Sequence, residues 1–452
     1  MKYKLFSFII LIIIVYMLIP KNNIKYINSF IIPKYLNSGI NDKIKKKIKI
    51  AIYTGTLYGG GRAKVTAILV NHLITIKIFD VYLFTFCEKR YNEFGVPNET
   101  KRIIINNNLF EIIEKIKIKI LIYELKNITE IKKLNNLKNI KVIYYHHSSV
   151  LGYIYNKKFS FFRKLYEAFK QSKYFITLIP FENDYLFKKW GIKSILMNNF
   201  MTYDYNSITP SDLSSKIILM VGRAGDKNKR FDLGVKAMKY IIKEIPDSQL
   251  KIISKLSRIY YLKKLINDLN LKENIKFEGY IIDPKIYFKN ASLHFFPTLC
   301  ESFGLVLSEA KLYGLPSILM GLNYVSLSKG GTVIIYDDNP ESLAKEAIKI
   351  LKNKRYRQKL GKQARKSIKY YDNQYLLIKW IKLILSIYKG ESHYEILRKQ
   401  YKGISQKESL EILKVQVNLL RMRMPKIFNN ITTELFENLT YMENLNAIKI
   451  KK

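Results

Sequence analysis

The chain has 452 residues with a formal net charge of +42, 48% hydrophobic and 13% aromatic content, and two cysteines, Cys87 and Cys300. That length exceeds one ordinary core and suits two domains with appendages, while the apolar content excludes disorder and the cysteine count excludes a disulfide framework. The 78 Lys and Arg are spread along the whole chain without a zinc-finger, RRM-type or basic-zipper pattern; this argues against a nucleic-acid-binding protein and leaves coding bias and attraction to anionic lipid as readings of the charge.

Leu5 to Ile19 form an apolar run broken only by Ser7, preceded by Lys2 and Lys4 and closed by Pro20 and Lys21. It is short for a spanning helix, and no small-residue cleavage pattern follows. The reading is an uncleaved single-pass N-terminal anchor over residues 1–22, with a cleaved signal as the alternative. Flanking positive charges are nearly balanced, so the side of the membrane is undetermined. Residues 23–47 follow as a basic linker.

Ile48 to Tyr53 read as a buried first strand leading into Gly59, Gly60 and Gly61, after which Val65, Ile68, Leu69 and Leu73 approximate helical spacing. Strand, glycine loop and helix in that order suit a nucleotide-binding unit, with Gly60 and Gly61 allowing backbone approach to phosphate or acceptor; a plain surface turn is the competing reading. The spacing is not G-x-G-x-x-G, so no dinucleotide fingerprint is supported. Further strands are expected near Val81–Phe86, Arg102–Ile105, Ile120–Tyr123 and Val142–Tyr145, with helices at Leu109–Ile118 and Ile131–Leu137. This alternation predicts a mainly parallel sheet covered on both faces. His146 and His147 come where a strand ends, which is where such sheets bind ligands. Packing is an equal reading for either.

Phe175–Ile179 predict one more strand, Phe181–Trp190 a helix, and Ile195–Ser211 a connection between domains. A second half then opens on the strand Ile217–Val221, followed by Gly222, Arg223 and a polar loop to Lys229 and a helix start. Arg223 and Lys229 at a strand end and helix start would form a phosphate clamp if the loop folds back. More strands are expected at Gln249–Ile253, Ile275–Phe277, Leu293–Phe296 and Val333–Tyr336, with helices at Leu262–Leu269, Phe303–Leu312, Pro340–Leu351 and Gln363–Ser386.

The stretch from Leu293 to Ile318 carries the chemistry. Glu301 falls in the loop beyond a strand and Glu309 eight residues on, within a helix closed by Gly314 and Pro316. If that helix begins near Glu301, the two lie about 12 Å apart along its axis. One carboxylate can then hold sugar hydroxyls and the other a ribose. The amides of Phe303, Gly304 and Leu305 sit where the intervening diphosphate would lie, and Gly304 permits close approach. By itself such a pair is more often two solvated helix residues.

The string Glu301-Ser302-Phe303-Gly304-Leu305, Ser308-Glu309-Ala310 and Gly314-Leu315-Pro316 resembles the E-x7-E signature of the family-4 retaining glycosyltransferases. The resemblance covers roughly Ile48 to Tyr388. It implies a GT-B fold: α/β, with two Rossmann-like domains facing a cleft, residues 48–205 serving the acceptor and 206–388 the nucleotide sugar. It implies that the Gly59–Gly61 loop and its helix face the cleft and that a histidine at the Val142 strand end, with His146 favoured, faces the transferred sugar or acceptor. The Val221-Gly222-Arg223 element resembles the family's cationic clamp with one extra residue before Lys229, leaving open whether Lys227 or Lys229 makes the contact.

What it implies for activity is transfer of a sugar from a UDP- or GDP-type donor to a lipid-linked or glycan acceptor with retention of configuration. Glu301, Arg223, Lys229 and His146 would serve the reaction, and Gly60, Gly61, Phe303, Gly304, Leu305 and Glu309 would bind the donor. Neither glutamate is a nucleophile, since about 12 Å exceeds the roughly 5 Å of a double-displacement pair. No D-x-D or histidine cluster suggests a metal, and no cofactor is expected. The competing readings are a noncatalytic membrane-anchored subunit of the same fold and a basic nucleic-acid binder. Residues 389–452 form a helical tail outside the resemblance, where Ile412, Val415, Leu419 and Met422 could line one face for packing or, less favoured, for a membrane surface.

Overall fold

The computed structural model describes residues 46–257, 259–390 and 406–424. The apolar run Leu5–Ile19 lies outside the described residues. Among the described residues no helix is long and apolar enough to cross a membrane. The chain forms two compact units, one ending at Tyr123 with Lys138–Lys141 added, the other made of Glu124–Leu137 and the chain from Val142 onward.

In the first unit, β1 (Ile48–Tyr53), α1 (Gly60–Ile74), β2 (Phe79–Thr85), β3 (Lys101–Ile104), α2 (Leu109–Ile116) and β4 (Ile120–Tyr123) alternate as the hydrophobic pattern requires. The strands are parallel, with β1 between β2 and β4 and β3 outside β2. Ile50 pairs with Val81 on one side and Ile120 on the other. A strand covered on both faces reads as a near-continuous apolar run, and Ile-Lys-Ile-Ala-Ile-Tyr is such a run with one break, at the half-buried Lys49.

The second unit begins with α3 (Ile128–Asn135), β5 (Lys141–Tyr145), α4 (Val150–Tyr155), α5 (Phe159–Phe169), β6 (Tyr174–Thr177), α6 (Pro180–Trp190) and β7 (Ser194–Leu196). Strands β5, β6 and β7 are parallel neighbours. Two departures from the sequence reading occur here. The segment expected to be pure connection from Ile195 instead starts inside β7, because Ser194 to Leu196 pair with Phe175 to Thr177. Helices α4 and α5 were not foreseen.

A six-stranded parallel sheet follows, in the order β10-β9-β8-β11-β12-β13. It is built from β8 (Ile217–Val221), α7 (Phe231–Glu244), β9 (Gln249–Ile253), α8 (Tyr260–Asp268), β10 (Ile275–Gly279), α9 (Lys285–Asn290), β11 (Leu293–Phe296), α10 (Leu305–Leu312), β12 (Ser317–Met320), β13 (Thr332–Ile335) and α11 (Pro340–Lys352). Its core joins Ile218, Met220, Leu250 and Phe295 from the strands with Val235, Met238, Leu343 and Ala347 from the helices. At Gly234 a Cβ would meet the flexible end of the Met220 side chain, which would have to move aside.

The single helical stretch read over Gln363–Ser386 is two helices, α12 (Lys354–Ile368) and α13 (Asn373–Lys389). The break comes where Asp372 caps the second by accepting from the Gln374 amide. Beyond it, α14 (Gln406–Arg423) buries Ile412 and Leu419 while Met422 stays exposed. Its contacts with the rest of the unit support packing as the role of this helix.

Candidate active site

The sheet order places the site. From β8 the chain moves outward to β9 and β10, and from β11 it moves the opposite way to β12 and β13, so β8 and β11 are neighbours whose connections diverge. The carboxyl ends of two such strands leave a crevice, the usual ligand position in open α/β sheets. The loop after β8 holds Arg223 and Lys229, and the loop after β11 holds Glu301.

These loops are tied together by the backbone of Asn228, whose carbonyl accepts from the Leu299 amide at 2.8 Å and from Thr298 Oγ1 at 3.0 Å. Asp226 caps the 3₁₀ turn Lys227–Lys229 through the Asn228 amide. The loop is pinned from the other side, where the Ala224 amide donates to Ser254 Oγ at 2.9 Å. Lys229 Nζ then meets Glu301 Oε2 at 2.8 Å, with side chains 21% and 20% exposed. Burial works against the charged lysine, but attraction and a hydrogen bond from Glu301 outweigh it and raise the Lys229 pKa above its ordinary value. Lys229, and not Lys227, is thus the cation facing the glutamate.

Arg223 is placed differently. Its side chain is 74% exposed and pairs with Asp226 at 2.8 Å, yet its charge is felt at Lys229. The two cations flank one loop without converging on a shared partner.

Glu301 is fixed through its own backbone as well. Its amide donates to the Tyr324 hydroxyl at 2.9 Å, and its Oε1 accepts from the Ser302 amide at 3.2 Å. Phe303 is buried, and Gly304 caps α10 with φ of 84°, a left-handed conformation that strains any side chain. The helix therefore starts at Leu305, two residues later than Phe303, and its ladder begins where the Ser308 amide donates to the Gly304 carbonyl, so Leu305, Val306 and Leu307 carry its N-terminal amides. The 12 Å estimate assumed a helix starting near Glu301, so it does not describe this pair. Glu309, one turn into α10, is buried and accepts from Thr202 Oγ1 at 2.5 Å.

The two histidines separate across the end of β5, as successive residues of a strand do. His146 is buried among the rings of Tyr153, Tyr166, Phe169 and Phe175. Burial, with lesser repulsion from Lys126 and His147, holds its pKa well below the ordinary value. That surrounding makes it a packing residue. His147 turns the other way, its Nε2 3.4 Å from Glu124 Oε1, and its carbonyl accepts from Ser302 Oγ at 2.8 Å, next to Glu301. The geometry thus brings His147 and Glu124 to the site where His146 was favoured. Both faces of β5 are apolar, so the sequence pattern could not tell which histidine points which way.

In the first unit, α1 starts at Gly60 after Gly59. Gly59 and Gly60 have φ of 68° and 80°, with open space where a Cβ would stand. Gly60 and Gly61 are exposed.

Residues 204–367 match the family described as glycosyl transferases group 1. Poly(glycerol-phosphate) alpha-glucosyltransferase of Bacillus subtilis (strain 168) is 31% identical over 150 residues, covering 32% of this chain and 22% of the relative. The chain therefore spans about a fifth of that relative's length. The fold is shared with sucrose-phosphate synthase from Thermosynechococcus elongatus, at a TM-score of 0.64 and 17% identity over 76% of this chain and all of the other. It is also shared with HepE from Anabaena, solved with UDP and glucose, at 0.61 and 13% identity over 75% and 99%. Residues 204–367 thus resemble a glycosyl transferases group 1 domain, and the chain shares the two-sheet fold that the GT-B resemblance implied.

Proposed function

We propose that the chain transfers a sugar from a UDP- or GDP-type donor to a glycan or lipid-linked acceptor with retention of configuration. The observation that carries this reading is the Lys229–Glu301 pair at the divergence of β8 and β11. Without donor each charge neutralises the other. With donor present Lys229 turns to the diphosphate, and Glu301 is released to the sugar hydroxyls. Arg223, exposed beside the same loop, adds a second cation, and the amides at Leu305 and Val306 offer the partial positive end of α10 to the phosphates. Glu309 takes the ribose.

The acceptor alcohol attacks the face from which the diphosphate departs, and a donor phosphate oxygen takes its proton. Stabilising the departing diphosphate is the main demand of such a step, and these cations and amides supply it. His147, next to the Ser302 anchor, faces the sugar. Gly60 and Gly61 present bare backbone to acceptor or phosphate, residues 48–205 serve the acceptor, and Leu5–Ile19 anchor the chain to a membrane. The UDP and glucose held by HepE support the donor class, and the glycerol-phosphate polymer in the Bacillus relative's name supports a polyol-phosphate or glycan acceptor.

The test is hydrolysis and transfer from a panel of nucleotide sugars by the purified full chain in detergent. Turnover of one donor supports the reading. A folded chain that turns over none favours the noncatalytic alternative.

A further inference from the structure

Helix α14 lies outside the matched family segment, yet its side chains reach the supports of the Lys229–Glu301 pair by three routes. First, Gln416 Nε2, buried, donates to the Gly321 carbonyl at 2.7 Å and to Asn323 Oδ1 at 2.8 Å. The next residue is Tyr324, whose hydroxyl accepts from the Glu301 amide. Second, Arg423 makes a two-pronged bond to Asp338, with Nε 2.8 Å from Oδ2. The same Asp338 oxygen accepts from Arg230 at 2.9 Å. Arg230 follows Lys229 directly, at φ of 49°. Third, Arg423 donates to the Tyr155 hydroxyl at 3.0 Å. Tyr155 precedes Asn156, whose side chain accepts from Asn228 at 2.8 Å in the turn that carries Lys229. Leu419 and Arg423 fill the space that a Cβ at Gly321 would take, so helix and strand end meet closely.

We infer that α14 is a brace for the donor site, with Arg423 and Gln416 as positioning residues that hold Lys229 and Glu301 in register through Asp338, Tyr155 and Tyr324. A helix kept only for stability would need apolar packing alone. Here its buried polar groups end one residue from each support of the pair, and bidentate arginine contacts fix direction as well as distance. The functional side of this inference rests on the transferase reading; the structural side does not.

The experiment separates the two. In a Cys87→Ser background Cys300, beside Glu301, is the sole thiol, and its alkylation by iodoacetamide reports how firmly the loop is held. Arg423→Ala is expected to raise that rate about tenfold and to lower kcat/KM by about tenfold with a drop in kcat, Arg423→Lys giving values between. Glu408→Gln, which removes the Lys329 pair at the far end of the helix, is expected to leave both within about twofold of wild type. The brace is refuted if folded Arg423→Ala matches wild type in labelling, or if Arg423→Ala and Glu408→Gln shift it equally. Should Arg423→Ala fail to fold, Arg423→Lys decides on the same criteria. If wild type binds no nucleoside diphosphate, the transferase reading falls while the labelling comparison still judges the brace.

Discussion

The loops after β8 and β11 and the glycine loop before α1 are built on opposite principles. The first set is fastened by side chains: Thr298, Ser254, Tyr324 and Ser302 each hold a backbone group of these loops or of the chain beside them, and Lys229 and Glu301 hold one another. The glycine loop has no side-chain cap on its helix, two left-handed glycines and open space around them. A site that must recognise one charged ligand is pre-organised by fixed donors. A loop with bare backbone can accommodate whatever approaches it. On the proposed function, this contrast suits narrow specificity for the donor at the first set and wide latitude for the acceptor at the second.

The contrast can be broken most severely at Glu301. Glu301→Ala is expected to lower turnover at least about 100-fold with the fold intact, the size of effect seen when a site loses a pre-organised electrostatic group. Unchanged turnover in steady-state assays would contradict the assignment. Next comes the histidine pair: His147→Ala is expected to lower kcat by about tenfold or more. His146→Phe, which keeps an aromatic ring among its aromatic neighbours, is expected to leave kcat near wild type; the opposite order would restore the original preference for His146. Gly60→Ala sharpens the other side of the comparison. At φ of 80° a Cβ costs about 1–2 kcal/mol locally, and the change should raise the acceptor KM while calorimetric donor affinity stays constant.

A separate effect, on stability and not on turnover, is a pH dependence away from both loops. Glu182 is buried, accepts from the Val150 amide at 2.6 Å and from Thr177 Oγ1 at 3.2 Å, and burial pushes its pKa up to about 8 despite those two bonds. In the unfolded chain it titrates near 4.5. Between those values the folded protein keeps a proton that the unfolded chain has released. Its contribution is therefore complete below about pH 4.5 and is lost as pH rises to about 8, with a slope of up to about 1.4 kcal/mol per pH unit. Glu182→Gln should flatten the fall of Tm over that window; an unaltered slope in thermal melts would show that Glu182 is ionised in the fold.

Much of the architecture was legible because central parallel strands bury both faces and so print largely apolar runs, unbroken in Ile217–Val221 and interrupted only by Lys49 in Ile48–Tyr53. The β12 strand, Ser317 to Met320, was masked because it follows directly on the Gly314 and Pro316 that close the preceding helix. The residues Glu301, Gly304 and Glu309 stood out through their spacing, but the later helix start depends on the backbone angle of Gly304, which composition does not reveal. Glu124, Thr202 and Tyr324 were missed because each reaches the site across a long sequence separation, with no local pattern to mark it. The role of the tail was unreadable for the same reason: Arg423 meets Asp338 across 85 residues.

The most direct test of the central claim is calorimetric titration of UDP and GDP into the wild-type chain and into Lys229→Ala. The expected result is one-to-one binding of at least one nucleotide by wild type, weakened by about tenfold or more in the variant. Absence of heat with both nucleotides, or equal affinity in both proteins, would contradict it.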